Sequence, residues 1–264
     1  MTDQLTGRLT GQDPAAVFSL HGRTAVVTGA SSGLGRRFTT VLAAAGADVV
    51  AAARRIDRLE ELAAGHEAIH PVRCDVADDD DRKALVEAAL ERTGRLDVLV
   101  NNAGIGAHGA AFEESPKAFR EALEVNLVAP FHLACLAAAN AGADSGMSIV
   151  NVASILGLVS GSPLSGAGYA ASKAGLIGLT RELAGQWGRS GVRVNALAPG
   201  WFRSEMTQDL FADERSSAWV ARNTPMRRAG DVSELDGALL FLASSASSYT
   251  TGQVLVVDGG WTAR

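Results

Sequence analysis

Cysteine is scarce. Cys74 and Cys135 are the two in 264 residues, and without paired spacing they form no disulfide framework, as expected of reduced thiols in a cytoplasmic protein. No run of lysine and arginine occurs and the formal net charge is −5, so the basic footprint of a nucleic-acid binder is missing. DNA and RNA are not expected partners. No apolar stretch nears the ~20 residues of a membrane span, and the polar segment Met1 to Pro14 lacks the apolar centre of a secretory signal. The five histidines, His21, His66, His70, His108 and His132, show no metal-ligand spacing, so no metal is expected. Asp78 to Asp81 resemble a ligand cluster, but consecutive helical residues point in different directions and carboxylates in a first turn suit the helix dipole. They read as a helix start.

What is present is a core. The chain is 47% hydrophobic and 20% charged, long enough for one substantial domain. Short β-branched runs recur at 24–27, 48–53, 69–73, 96–100, 148–152, 192–197 and 253–257, apolar without alternation, as strands hidden on both faces must be. Helical stretches lie between them at 34–45, 57–64, 79–93, 116–140, 169–187 and 231–245. The alternation predicts an α/β fold, a single doubly wound parallel sheet of about seven strands with helices on both faces. Residues 1–20 read as an extension that packs through Val17, Phe18 and Leu20, and 21–264 as a single domain with a lid at about 201–226.

Between the first strand and the first helix lies TGASSGLG, Thr28 to Gly35. Glycines there allow a tight turn and close approach of backbone to a phosphate, while the helix N-terminus supplies donors and positive dipole. Gly29, Gly33 and Gly35, with Ser31, Ser32 and Leu34 between them, make a cradle for a dinucleotide in a Rossmann-type fold. The spacing is G-x-x-x-G-x-G rather than G-x-G-x-x-G, so by itself the stretch is also compatible with a plain turn.

Further motifs narrow the choice. Asn101-Asn102-Ala103-Gly104 follows a strand, Asn126 lies in a long helix, Ser154 follows another strand, and Tyr169-Ala-Ala-Ser-Lys173 opens a helix. Together with TGASSGLG they resemble the short-chain dehydrogenase/reductase family over about residues 21–264. The resemblance implies hydride transfer between a nicotinamide and a carbonyl or secondary alcohol. Tyr169 would exchange the proton, Ser154 would hydrogen-bond the same oxygen, and Lys173 would hold the nicotinamide ribose. Asn126 would hold a water linking Lys173 to a proton relay. Elementary chemistry agrees in part. Tyr169 and Lys173 are four apart and share a helical face, and a cation within ~4–6 Å favours the phenolate of a group whose free pKa is ~10. Pro130 has no N–H for the Asn126 carbonyl, so the helix is expected to kink there. The Ser154–Tyr169 loop is about two residues longer than expected of the family, yet its glycines and serines can close over varied lengths.

Cofactor choice is read after the second strand, where an acid would bind the ribose 2′-hydroxyl of NAD and an arginine the 2′-phosphate of NADP. Ala53 stands at the acidic position, followed by Arg54 and Arg55, which favours NADP(H) and leaves NAD(H) open. By resemblance, Asp75 and Val76 contact the adenine, Asn102, Ala103 and Gly104 line the inner side of the cofactor, and Pro199, Gly200 and Ser204 contact the nicotinamide carboxamide. The stripe Met206, Leu210, Phe211, Trp219 and Val220 reads as pocket wall or as core. As wall it selects a medium-sized apolar ketone or a 3-oxoacyl substrate, with Arg203 facing solvent or recruiting an anion. The alternatives are an NAD-linked polyol or sugar dehydrogenase and a non-catalytic dinucleotide-binding scaffold. Small residues along 169–187, among them Ala170, Ala174 and Gly178, suit close helix packing against another subunit, and a homo-oligomer, a tetramer, is expected.

Overall fold

Strands buried on both faces need a helical layer on each side, and the computed structural model, which describes residues 14–106, 111–141, 146–162 and 164–263, has that arrangement. The strands are β1 (Thr24–Thr28), β2 (Asp48–Ala53), β3 (Ile69–Arg73), β4 (Val98–Asn101), β5 (Ser148–Val152), β6 (Arg193–Pro199) and β7 (Val254–Val257). They pair in parallel in the order β3-β2-β1-β4-β5-β6-β7. Alternate residues go to opposite cores. Ala25 and Val27 of β1 join one cluster with Phe38, Leu42 and Leu239, while Val26 joins the other with Leu85, Leu133 and Leu183. Both faces are apolar, so the alternation is invisible in the sequence. The chain order reverses between β1 and β4, which opens a crevice at their carboxyl ends.

Helix α1 (Gly33–Ala44) follows β1, α2 (Ile56–Ala63) follows β2 and α3 (Asp79–Thr93) follows β3. The aspartate cluster is the cap of α3. The Asp78 carboxylate accepts from the backbone N–H of Asp80 and Asp81 at 2.9 and 3.1 Å, as carboxylates at a helix start do.

The next helix departs from expectation at its centre. It runs as α4 (Pro116–Leu123), a π turn over Glu124–Val128, and α5 (Ala129–Ala139). The missing N–H of Pro130 is accommodated by one wide turn in which Ala129 N–H bonds back to the Glu124 carbonyl. By length and composition these 24 residues could cross a membrane, but Asn126, Ala129, Leu133 and Ala137 are buried in the layer over the sheet.

Helix α6 (Ala167–Trp187) precedes β6, and α7 (Gln208–Ala212), α8 (Glu214–Asn223) and α9 (Asp236–Ala243) precede β7. Two expectations need correction. The extension packs through Leu20, which is buried, whereas Val17 and Phe18 are each 40% exposed and Val17 is tied by its carbonyl to the Ser245 hydroxyl at 2.9 Å. The apolar stripe of the segment 201–226 is chiefly core. Trp219 packs on Trp201 and Trp261 with ring centroids 6.4 and 5.2 Å away, joined by Leu210, Phe211 and Val220. Such large rings stabilise a segment by packing on one another. Met206 alone of the stripe lines the crevice. Arg203 faces solvent with its guanidinium 4.7 Å from the Phe211 ring centroid.

Candidate active site

The crevice at the carboxyl ends of the strands encloses about 540 Å3. The glycine loop forms one wall. Gly29 has φ +68°, and a Cβ there would stand 2.9 Å from the Ala103 Cα. One on Gly35 would collide with the Gly29 carbonyl and the Asn102 amide. Thr28 joins the two motifs: its hydroxyl accepts from the N–H of Asn102 and Ala103 at 3.1 and 3.0 Å, and its carbonyl accepts from Asn102 Nδ2 at 2.8 Å. Ser32, the residue before α1, makes no side-chain cap, and the first turn of α1 holds no acid. The N–H donors of that turn are left for an anion, as a dinucleotide pyrophosphate requires. The residues therefore fit such a cofactor.

A cationic rim lies beside this loop. Arg55 donates to Ser32 Oγ at 2.9 Å, to Ser31 Oγ at 3.2 Å, and to both oxygens of Glu205 at 2.9 and 2.8 Å. Arg58 adds a bond to Glu205 Oε1 at 3.0 Å. The Arg55 hydrogen bond, with those of Ser32 and Arg58, holds the Glu205 carboxyl far below the usual carboxylate range. Arg54 is exposed where it lines the mouth.

The floor carries Ser154, Tyr169 and Lys173. Ser154 caps a short turn, accepting from Leu156 N at 3.1 Å, and hydrogen-bonds the Tyr169 phenol. The Lys173 ammonium, buried, donates to the Val152 carbonyl at 2.8 Å and lies 5.6 Å from the Tyr169 ring centroid. Burial lowers its pKa to about 8. The phenol shifts opposite to the sequence expectation: loss of water around Tyr169 raises its pKa, and the Ser154 hydrogen bond only partly opposes this. Desolvation penalises the phenolate more than its neighbours favour it.

Asn126 stands behind the floor. Its amide bridges the backbone of Ile105, accepting from N at 2.9 Å and donating to O at 2.9 Å, and donates to Ser172 Oγ at 3.0 Å. It ties the turn after β4 to α6. The start of α6 is capped from a distance, since both Glu114 oxygens accept from Gly168 N at 3.1 Å, one residue before Tyr169.

One crevice thus gathers the glycine loop, Arg54, Arg55, Asp75, Val76, the Asn102–Gly104 turn, Ser154, Tyr169, Lys173, Pro199, Gly200 and Ser204. Sequence reading did not find Thr28, Arg58, Glu114 or Glu205 as parts of this arrangement; Glu205 lies 150 positions from Arg55, and no local pattern links them. His108 falls outside the described residues. A second cavity of about 670 Å3 lies at the amino ends of the strands beside Arg23 and Arg193, whose guanidinium groups are taken up by Asp97 and by the Leu242 and Ser244 carbonyls.

Residues 29–262 match the family model described as Enoyl-(Acyl carrier protein) reductase. The chain is 38% identical over 252 residues to 2-dehydro-3-deoxy-D-gluconate 5-dehydrogenase of Escherichia coli (strain K12), covering 94% of this chain and 99% of that protein. It is 39% identical over 251 residues to gluconate 5-dehydrogenase of Gluconobacter oxydans (strain 621H), covering 93% and 97%. Among solved structures, a gluconate 5-dehydrogenase from Burkholderia cenocepacia J2315, in complex with NADP and tartrate, superimposes with a TM-score of 0.89 at 34% identity over 96% of this chain and all of that one.

Proposed function

Because the chain belongs to the short-chain dehydrogenase/reductase family and is an oxidoreductase acting on CH–OH groups with NAD(P), we propose that it oxidises one secondary hydroxyl of a sugar acid or polyol and prefers NADP(H). The observation that carries this reading is the packing of the lid. Met206 apart, its apolar stripe is spent on the Trp201–Trp219–Trp261 core, which leaves the crevice less of the apolar wall that an alkyl or aryl ketone needs. The polyhydroxy-acid dehydrogenases among its relatives point the same way, and the apolar-ketone expectation gives way to the sugar alternative.

The chemistry is one proton and one hydride. NADP+ held in this crevice would supply the acceptor for the hydride of the carbinol carbon. The hydroxyl proton passes to the Tyr169 oxygen, with Ser154 donating to the substrate oxygen and the Lys173 ammonium, 5.6 Å from the phenol ring centroid, offsetting part of the desolvation that disfavours the phenolate. Asn126 and Glu114 hold the β4 turn and the start of α6 so that these groups converge. Arg55, with Arg54 beside it, would hold the 2′-phosphate, and the N–H groups of the first turn of α1 would hold the pyrophosphate. Exposed Val128 at the end of the π turn and Phe131 on α5, together with the small residues of α6, support a homo-oligomer.

The test is initial-rate oxidation with NADP+ of gluconate, galactitol and cyclohexanol, beside NADPH-driven reduction of a 3-oxoacyl thioester. A kcat/KM for gluconate or galactitol at least tenfold above both comparators is expected. A better value for cyclohexanol or the thioester would overturn the sugar reading.

A further inference from the structure

Glu205 occupies a donor set built for a phosphate. Arg55 meets it with two nitrogens and two oxygens in a fork, at 2.9 and 2.8 Å, and Arg58 adds a third bond at 3.0 Å. Ser32, which also receives Arg55, bonds the same carboxylate and stands at the start of α1. Two guanidinium groups and a hydroxyl beside an uncapped helix N-terminus are what a phosphate dianion seeks. Here an internal carboxylate takes them. It comes from the segment after β6, which folds over the glycine loop so that Glu205 N would lie 3.9 Å from a Cβ on Gly33.

We propose that Glu205 is a specificity-determining residue for the cofactor: its carboxylate competes with the 2′-phosphate of NADP(H) for Arg55, Arg58 and Ser32, and NAD(H), which lacks that phosphate, meets no such competition. The inference rests on the reading that Arg55 faces the ribose 2′ position. It makes the preference for NADP(H) a balance, with three cationic side chains, Arg54, Arg55 and Arg58, pulling the phosphate in and one carboxylate holding two of them back. The Glu205 carboxyl is kept far below its ordinary pKa by those same cations, so it stays charged through the neutral range and competes there at full strength.

The experiment is fluorescence titration of the full-length protein with NADPH and NADH, for wild type, Glu205→Gln and Arg55→Ala, each shown to be folded by its melting curve. The readout is the ratio of the NADH to the NADPH dissociation constant. Removing one like charge a few ångströms from the phosphate should raise that ratio about five- to tenfold in Glu205→Gln, and Arg55→Ala should lower it by a similar factor. If Arg55→Ala lowers the ratio while Glu205→Gln leaves it within twofold, Glu205 does not compete. If Glu205→Gln weakens both dinucleotides equally, the carboxylate is a strap for the lid and the inference falls. If Arg55→Ala leaves the ratio as in wild type, the subsite lies elsewhere, and the NADP(H) reading falls together with this one. Should Glu205→Gln fold poorly, Glu205→Ser reports the same ratio.

Discussion

At the floor of the crevice Ser154 and Lys173 expose 7% and 4% of their surface, and Asn126 behind them exposes 0%. At its rim the side chains of Arg55, Arg58 and Glu205 expose 41%, 42% and 44%. Both sets are hydrogen-bonded, but only the rim is wet. Water screens the ion pairs of the rim, so each is individually weak and adjustable. At the floor, missing water moves proton affinities, lowering Lys173 to about 8 and raising Tyr169. Proton transfer belongs where desolvation can tune a pKa, and recognition of a charged cofactor where a phosphate can enter with its counter-charges still mobile.

The largest effect should come from the floor. Tyr169→Phe removes the proton carrier while keeping the ring, so kcat should fall ~10² or more with the NADPH dissociation constant nearly unchanged. Near-normal kcat in this variant would end the proposed mechanism and, with it, the assignment of chemistry to the buried side of the crevice.

How much of this contrast was legible in the sequence depended on range. Strand runs such as Asp48–Ala53 and Ser148–Val152 keep in the structure the bounds read from the sequence, because a strand hidden on both faces is defined by its own composition. The glycine loop and the Tyr169/Lys173 spacing are equally local. The rim was only half legible: Arg54 and Arg55 stood out, while Arg58 and Glu205 join them through folding that brings the segment after β6 over α2. The direction of the Tyr169 shift was misread for a related reason. Spacing reveals the neighbouring lysine, but the loss of water around the phenol comes from everything packed over it. The Trp219 stripe was ambiguous because helical periodicity is the same for a pocket wall and for a core.

A smaller effect tests whether the floor is built at the expense of stability. Lys173 has a pKa of about 8 in the fold, below the ~10.4 of a free lysine, so between those values the unfolded chain binds more protons than the native one. Stability due to this group therefore rises with pH from about 8 to about 10.4, by roughly 3 kcal/mol, and the full penalty is felt at pH 7. Lys173→Met removes that penalty but leaves the Val152 carbonyl without its donor, which costs about 1–3 kcal/mol. The variant should be inactive yet about 1 kcal/mol more stable than wild type at pH 7 in urea melts, an advantage lost or reversed by pH 10. A constant difference at both pH values would mean that burial of the ammonium carries no penalty.

The smallest effect sets salt against the two regions. Raising ionic strength from ~0.1 to ~1 M shortens the Debye length from ~10 to ~3 Å. Rim contacts between the 2′-phosphate and Arg55 or Arg54 should weaken, and the NADP+ KM should rise about three- to fivefold. The same salt also loosens Glu205 from Arg55 and Arg58, which favours the phosphate and offsets part of the loss. Glu205→Gln, lacking that offset, should therefore show a steeper rise in KM than wild type. At the floor Lys173 and Asn126 are closed off from mobile ions, so kcat at saturating NADP+ and substrate should stay within about twofold over the same range. Initial-rate measurements in sodium chloride separate the two quantities. If kcat falls in step with the rise in KM, ions reach the floor as readily as the rim, and the difference in exposure between them has no energetic meaning.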